Sequence, residues 1–264
     1  MSTHAGTLLL RLAGPLQSWG IRSEFNRRDT GAEPSKSGVI GLLAAARGLH
    51  REDDLGDLLG LTYAVRTDQP GSLLRDYHTV SNYRGGPLLS ASTDTKGHQK
   101  KTSPAKLTHV TQRYYLQDAV FVAAVSGPTD LIDLLAQAVT HPAFPLSLGR
   151  RACVPGRPLL LGTQGTSDVR EALTNVTWQG SDHARHNLER ERGYRPATVR
   201  LTASADSQTG DEVPDAPRNF HPLHRSYALR HVEHLWITAP SGFDDPQEPP
   251  PDNDDHDPFE LLGW

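Results

Sequence analysis

Two stretches with helical periodicity, each flanked on both sides by a short apolar run of strand length, constrain the architecture of this chain more than any other feature. Residues 7–13 (TLLLRLA) form the first run, closed by the Gly14-Pro15 turn signal. Residues 37–47 (SGVIGLLAAAR) place Val39, Ile40, Leu43 and Ala46 near one helical face, with Ser35 or Ser37 as N-cap and Gly48 as the stop. Leu61, Tyr63 and Val65 alternate with Thr62, Ala64 and Arg66, a period of two, and 73–80 extends that strand or pairs with it. Residues 116–125 (LQDAVFVAAV) read as one strand, the strongest in the chain. Thr129 caps a second amphipathic helix in which Leu131, Leu134, Leu135, Ala138 and Val139 share a face, and His141-Pro142 ends it. Residues 159–161 add a last short strand.

Strand, helix, strand, insertion, strand, helix, strand is the βαββαβ order. It predicts an α+β, ferredoxin-like (RRM-like) domain over 1–165, with residues 81–115 as an inserted thumb. That topology leaves one sheet face without helices, the face on which RNA-recognition domains hold single strands. From 166 to 240 the pattern weakens, with strand candidates at 176–178, 197–203 and 229–238 around an Arg-rich 183–200, and a small β-rich C-terminal region is expected. Residues 241–264 combine acids with prolines and predict a disordered tail whose apolar end, 259–264, frays. At 264 residues the chain can bury a core without metals or disulfides, and its lone cysteine, Cys153, has no partner within it. The start lacks the basic flank and long apolar stretch of a signal peptide, and no apolar run spans a bilayer, so a cytoplasmic protein without membrane contact is expected.

The formal charge of −4 conceals an asymmetry. Residues 243–264 hold eight acids and no Lys or Arg, which leaves 27 basic against 23 acidic residues in the rest. That body has 22 Arg and 5 Lys, and the guanidinium is the group best suited to fork onto phosphates and stack on bases. GC-rich coding produces the same excess, so local clustering has to decide. Lys96, Lys100, Lys101 and Lys106 fall between Ser81 and Arg113 with Arg84, Arg113 and one acid, Asp94, a net +5 over 33 residues. The Gly, Ser, Thr and Pro content of this stretch argues against a packed element. It reads as a solvated, mobile insertion or as a basic arm that closes over a polyanion.

No Walker loop, GxGxxG, HExxH, GxSxG or paired CxxC occurs, so those enzyme and zinc-ribbon classes lack their required residues. The histidine pairs His183/His186, His221/His224 and His231/His234, the last with Glu233 between, come nearest to a metal constellation. Pro222 and strand-like surroundings spoil a shared ligand face, so no metal or cofactor is expected. Metal-independent RNA cleavage needs a general acid, a general base and cations, and Arg75-Asp76-Tyr77-His78 with Arg113-Tyr114-Tyr115 hold those residue types. A His beside a Tyr on a strand serves packing or base stacking as readily. Gly149, Arg150 and Arg151 stand in a turn of the kind that presents backbone N–H groups to a phosphate. Arg27, Arg28, Lys36 near a helix N-terminus, Tyr83, Arg84, Lys100, Lys101, Arg113 and Tyr114 join them at predicted loops. Basic residues interleaved with aromatics suit a single-stranded nucleic-acid path. An RNA binder, a metal-independent endoribonuclease and a protein-assembly scaffold all fit these residues.

The segments LLLRLAGPLQSWG, TGAEPSKSGVIGLLAAARGL, LLRDYHTV and LSLGRRACVPGRPLLLG, in this order across 7–165, closely resemble the Cas-five family of CRISPR repeat-associated RNA-binding proteins in its subtype I-E form. The resemblance implies a ferredoxin-like body, a thumb supplied by the basic insertion and a β-rich C-terminal part. It implies a non-catalytic subunit of a Cascade complex in antiviral defence, capping one end and holding the repeat-derived 5′ handle of the crRNA. The partners implied are a CasC-like backbone subunit, a CasA-like large subunit and the other Cascade subunits, with target DNA met indirectly. By the same likeness His78, Tyr83, Arg84 and Arg113 touch RNA at the thumb base, Arg150 and Arg151 hold handle phosphates, and 35–38 line the same path. Subtype I-C relatives cut precursor RNA with a Tyr, Lys and His set. Here His78 has no lysine at a matching position and Lys36 lies in a different motif, which favours binding over cleavage.

Overall fold

The first apolar run becomes β1 (Ala5–Ala13), buried on both faces, with Leu8, Leu10 and Leu12 in one core and Leu9 in another. In the computed structural model, which describes residues 5–20 and 26–248, β2 (Leu16–Gln17), β3 (Arg27–Arg28), α1 (Lys36–Ala46) and β4 (Thr62–Gln69) follow. Next come β5 (Ser72–Ser81), β6 (Leu89–Thr93), β7 (Gln99–Lys101), β8 (Thr108–Gln117), β9 (Val120–Pro128), α2 (Thr129–Thr140) and β10 (Leu160–Gln164). The chain continues through α3 (Val169–Thr174), α4 (Asp182–Arg192), β11 (Thr198–Ser207), β12 (Asp211–Asn219) and β13 (Ser226–Pro240). The result is a mixed α+β protein, mostly sheet. Among the described residues no helix is long and apolar enough to cross a membrane.

The main sheet has the order β10-β1-β9-β4-β11-β13-β12, with every neighbouring pair antiparallel. Helices α1 and α2 cover one face, burying Val39, Ile40, Leu43, Leu131, Ile132 and Leu135 against Leu8, Tyr63 and Phe121. Each such aliphatic side chain contributes about 1.5–3 kcal/mol on burial. Ser35 is the N-cap of α1, its hydroxyl accepting from the Gly38 amide at 3.2 Å, and Gly48 ends the helix at a φ of 84°. In α2, Ile132 takes the buried place that periodicity predicted for Leu134, which is 44 % exposed.

The opposite face is not open, contrary to expectation. Val169, Ala172 and Leu173 of α3 pack on Leu9, Ala64, Val122 and Ala124 and close it. Beside them the buried Arg66 binds Asp68 through Nε at 2.7 Å and Nη2 at 2.8 Å and donates to the carbonyls of Leu173, Val176 and Thr177. Residues 176–178 therefore form no strand, because two of their carbonyls serve this guanidinium. The C-terminal strands continue the main sheet through the β4–β11 pair. β12 (DEVPDAPRN) escapes sequence reading because its acids and two prolines resemble a turn, and as the edge strand it tolerates them. The Arg-rich stretch is helical in α4, so His183 and His186 share a helix, contrary to the strand-like setting expected. Residues 241–247 lie along 195–197, with the Ser241 and Gln247 amides donating to the Ala197 and Arg195 carbonyls, so the predicted disordered tail does not begin at 241. Its remainder, 249–264, lies outside the described residues.

Residues 116–125 split at Asp118, whose φ of 55° divides the expected single strand into β8 and β9. β8 leaves the main sheet and builds a second one, antiparallel to β5 and β2 and parallel to β3. Residues 73–80 accordingly pair with β8 and not with β4. The basic insertion, expected to lack packed elements, is a β-hairpin stem with a smaller β6–β7 hairpin within it. Gly71, at a φ of 70°, makes the exit from the main sheet, and a β-carbon there would stand 2.3 Å from the Gln117 carbonyl oxygen.

Candidate nucleic-acid interface

The segment that carries the cationic residues is anchored by residues 17–19. The Gln17 amide donates to the Leu12 and Ala119 carbonyls at 2.9 and 2.7 Å, and its oxygen accepts from the Trp19 indole at 3.1 Å. Trp19 is seated on α1 at Gly38, where a β-carbon would come within 2.8 Å of the ring. The Ser18 amide donates to the Leu148 carbonyl at 3.1 Å, which ties the turn after α2 to the same point. Thus the motif around Gln17, the motif around Gly38 and the motif around Gly149 meet through packing, although they are distant in sequence.

On this anchor β3 lies parallel to β8, with Arg27 beside Gln112 and Arg28 beside Arg113. Arg27 stacks over the Tyr114 ring at 5.2 Å and binds Asp29 at 2.9 Å. Arg150 reaches in from the glycine turn. It donates to the Arg28 carbonyl at 2.8 Å and the Tyr114 carbonyl at 3.3 Å while lying over the Tyr115 ring at 4.8 Å. Arg150 therefore clips β3 to β8 as well as adding charge, whereas Arg151 next to it is exposed. Arg113 thus stands in register between Arg28 on β3 and Asp76 on β5.

The hairpin extends this surface. The ladder sets Asp76 opposite Arg113 and His78 opposite Thr111 on one face, and Arg75 opposite Tyr114 and Tyr77 opposite Gln112 on the other. His78 Nε2 contacts the Asp76 carboxylate. Farther along, Tyr83 is 87 % exposed, and Arg84 stacks on it at 5.2 Å while donating to its hydroxyl. Lys100 and Lys101 are exposed on β7. The structure thus gathers Arg27, Arg28, Arg113, Tyr114 and Arg150 at the stem base and strings His78, Tyr83, Arg84, Lys100 and Lys101 along the hairpin. Arg75 and the 59 % exposed Tyr77 belong to the Arg27–Tyr114 face. Only the register reveals this, and alternation along a correctly paired 72–81 strand is the signal that finds it.

Lys36 does not belong to this set. It is 9 % exposed, its ammonium binds Asp206 at 2.7 Å and its amide donates to Asp215 at 2.8 Å. Arg230 completes the cluster with Asp206 and Asp215 and lies over the Tyr63 ring. Lys36 thus holds α1 to β11 and β12, a use invisible to a reading that knows only that a lysine sits near a helix N-terminus. Burial pushes the Cys153 thiol up, so it is a packed side chain and not a ready thiolate. Among the described residues no three His, Cys, Asp or Glu side chains cluster as a metal site, and His221 and His224 stack on each other at 5.1 Å.

A mixed α+β protein, mostly sheet, with an exposed cationic hairpin is the class that this fold and surface define. The chain belongs to the CRISPR-associated Cas5 family, whose model matches residues 7–233. It is 38 % identical over 190 residues to the CRISPR system Cascade subunit CasD of Escherichia coli (strain K12), a match covering 66 % of this chain and 79 % of that protein. Among solved structures, a chain of a CRISPR RNA-guided surveillance complex superposes with a TM-score of 0.67 at 35 % identity, covering 89 % of this chain and 91 % of its own. A second, described as a crystal structure of a Cas protein, superposes with a TM-score of 0.62 at 33 % identity, covering 92 % of this chain and the whole of its own.

Proposed function

We propose that this chain is a non-catalytic, crRNA-binding subunit of a Cascade surveillance complex in antiviral defence, gripping the 5′ handle of the guide RNA. Family membership and likeness to CasD support the assembly. The observation that carries the binding mode is the gathering of Arg28, Arg113 and Arg150 on one face of the stem base, with Arg27 stacked on Tyr114 on the other face of the same strands. Guanidiniums of this kind neutralise phosphates, and exposed rings such as Tyr83 and Tyr77 offer stacking worth about 1–3 kcal/mol per base. Arg151, Lys100 and Lys101 extend the charged path. Within the sheet, the order β10-β1-β9-β4 with both crossing helices on one face supports a ferredoxin-like reading of the body, and the β5–β8 hairpin serves as its thumb. A CasC-like backbone subunit and a CasA-like large subunit are the neighbours proposed for the two sides of this cap, with target DNA met through them.

Binding is favoured over cleavage because His78 is engaged by Asp76 and faces Thr111 across the ladder, with no lysine opposite it. Incubation of the purified chain with a labelled repeat RNA in EDTA tests this. A retarded intact band is expected. Discrete fragments would assign a metal-independent endoribonuclease, and neither outcome would reduce the chain to an assembly scaffold.

A further inference from the structure

Between residues 19–20 and 31–37 on one side and strands β12 and β13 on the other lies a pocket of about 170 Å³, smaller than the roughly 300–1,000 Å³ of drug-sized sites. Its walls include Trp19, Glu33, Ser37, Tyr227 and His234. Tyr227 is 40 % exposed and Trp19 is buried, so one ring is open to a ligand and the other is part of the wall. The space suits a single planar ring system.

Its charge excludes the phosphate-binding use proposed for the neighbouring surface. Arg230, the cation in its lining, is already bound by Asp206 and Asp215, and the nearby Lys36 is bound by Asp206. Glu33 is the carboxylate left over. Its Oε2 accepts from the Ser204 hydroxyl at 3.0 Å, and because that hydroxyl proton is committed, His234 Nδ1 must donate to Ser204 Oγ, 2.9 Å away. Oε1 has no hydrogen-bond partner among the described residues and Oε2 keeps a further lone pair, so the pocket presents acceptors. Burial raises the Glu33 carboxyl above its ordinary value, which fits a group held out of bulk water.

The pocket also lies at the end of the cationic surface. Gly31 lines it, with its amide donating to the Trp19 carbonyl at 2.6 Å, and only three peptide units, at most about 11 Å, separate Gly31 from Arg28. A strand whose phosphates lie along Arg28 and Arg113 can therefore turn one base into the pocket.

We propose that this pocket receives a single unstacked base of the bound RNA and that Glu33 selects one with adjacent N–H donors on its edge, guanine foremost. Guanine offers a ring N–H beside an amino group to the two carboxylate oxygens. Uracil presents one N–H between two carbonyls, which the carboxylate repels. The inference rests on the RNA-binding reading above and adds to it a base-selective site.

The test is fluorescence anisotropy of the full chain with a short oligouridine and with the same oligomer carrying one guanosine. The guanosine RNA is expected to bind roughly tenfold tighter, within the range that one bidentate base contact discriminates. Glu33→Gln should bring its affinity down to that of oligouridine, and Tyr227→Ala, an independent surface change, should weaken the guanosine RNA selectively. Equal binding of both RNAs by the unaltered chain, or a preference that survives Glu33→Gln, overturns the pocket assignment alone. Failure of either RNA to bind overturns the RNA-binding reading and the pocket with it.

Discussion

The α-carbon of Gly149 sits so close to Ser18 that a β-carbon built on it would stand 1.8 Å from the Ser18 carbonyl oxygen. The contact fixes the turn bearing Arg150 and Arg151 against the segment that leads into β3, and so sets where three of the clustered guanidiniums point. Gly149 also has a φ of 88°, a conformation that suits glycine.

Gly149→Ala is accordingly expected to destabilise the fold by about 1–3 kcal/mol, combining backbone strain with displacement of residue 18. Gly60, whose β-carbon would meet nothing within 4 Å, serves as the control, and Gly60→Ala should stay within about 0.5 kcal/mol. Chemical denaturation midpoints of the two variants check this.

Asp68→Ala should cost about 3–5 kcal/mol, because it strands the fully buried Arg66 guanidinium without its counter-charge. Urea unfolding measures it. A loss under about 1 kcal/mol would mean that the carbonyls of 173, 176 and 177 hold Arg66 unaided.

Arg113 and Arg150 should separate in behaviour despite their proximity. Arg113 is exposed, so Arg113→Ala is expected to reduce the log–log salt dependence of RNA binding by about one unit with melting unchanged. Arg150→Ala removes a bond to Arg28 and one to Tyr114 and should lower the melting temperature as well as RNA affinity. Thermal melts beside salt titrations distinguish the two roles.

Stability should respond to pH through Glu33. Burial raises its folded-state value, with the Ser204 bond, His234 and Arg230 opposing, so its ionised form penalises the folded state. The penalty is present above the folded value and disappears as pH falls through it towards the ordinary carboxylate range. Glu33→Gln should therefore raise the melting temperature at neutral pH and converge on the unaltered chain in acid. An equal difference at both pH values would contradict the assignment.

Much of the architecture is legible in the sequence because α2 buries one clear stripe, α1 is an apolar run between a serine cap and a glycine stop, and β1 is largely apolar. What is not legible depends on partners distant in sequence. The break at Asp118 lies inside an otherwise continuous apolar run, so only the divergence of β8 from β9 marks it. The closed second face depends on α3, six residues too short for a strong period, and on Arg66, which looks like a surface residue of an alternating strand until its carbonyl partners are known. Composition groups the arginines at 27, 28, 113 and 150 only as basic residues at predicted loops, whereas 27, 28 and 113 lie on β3 and β8. Their juxtaposition, the loss of Lys36 to Asp206 and the place of Arg75 and Tyr77 follow only from register and packing.

The central claim is that the β3–β8 face, the glycine turn and the hairpin form one path for guide RNA. Ultraviolet cross-linking of the chain in its reconstituted complex, followed by mass spectrometry of the RNA-bearing peptides, tests it most directly. The account predicts adducts at Tyr114, Tyr83 and residues 148–151. Adducts confined to the outer surfaces of α2 and α4, with none on β8 or the hairpin, would contradict it.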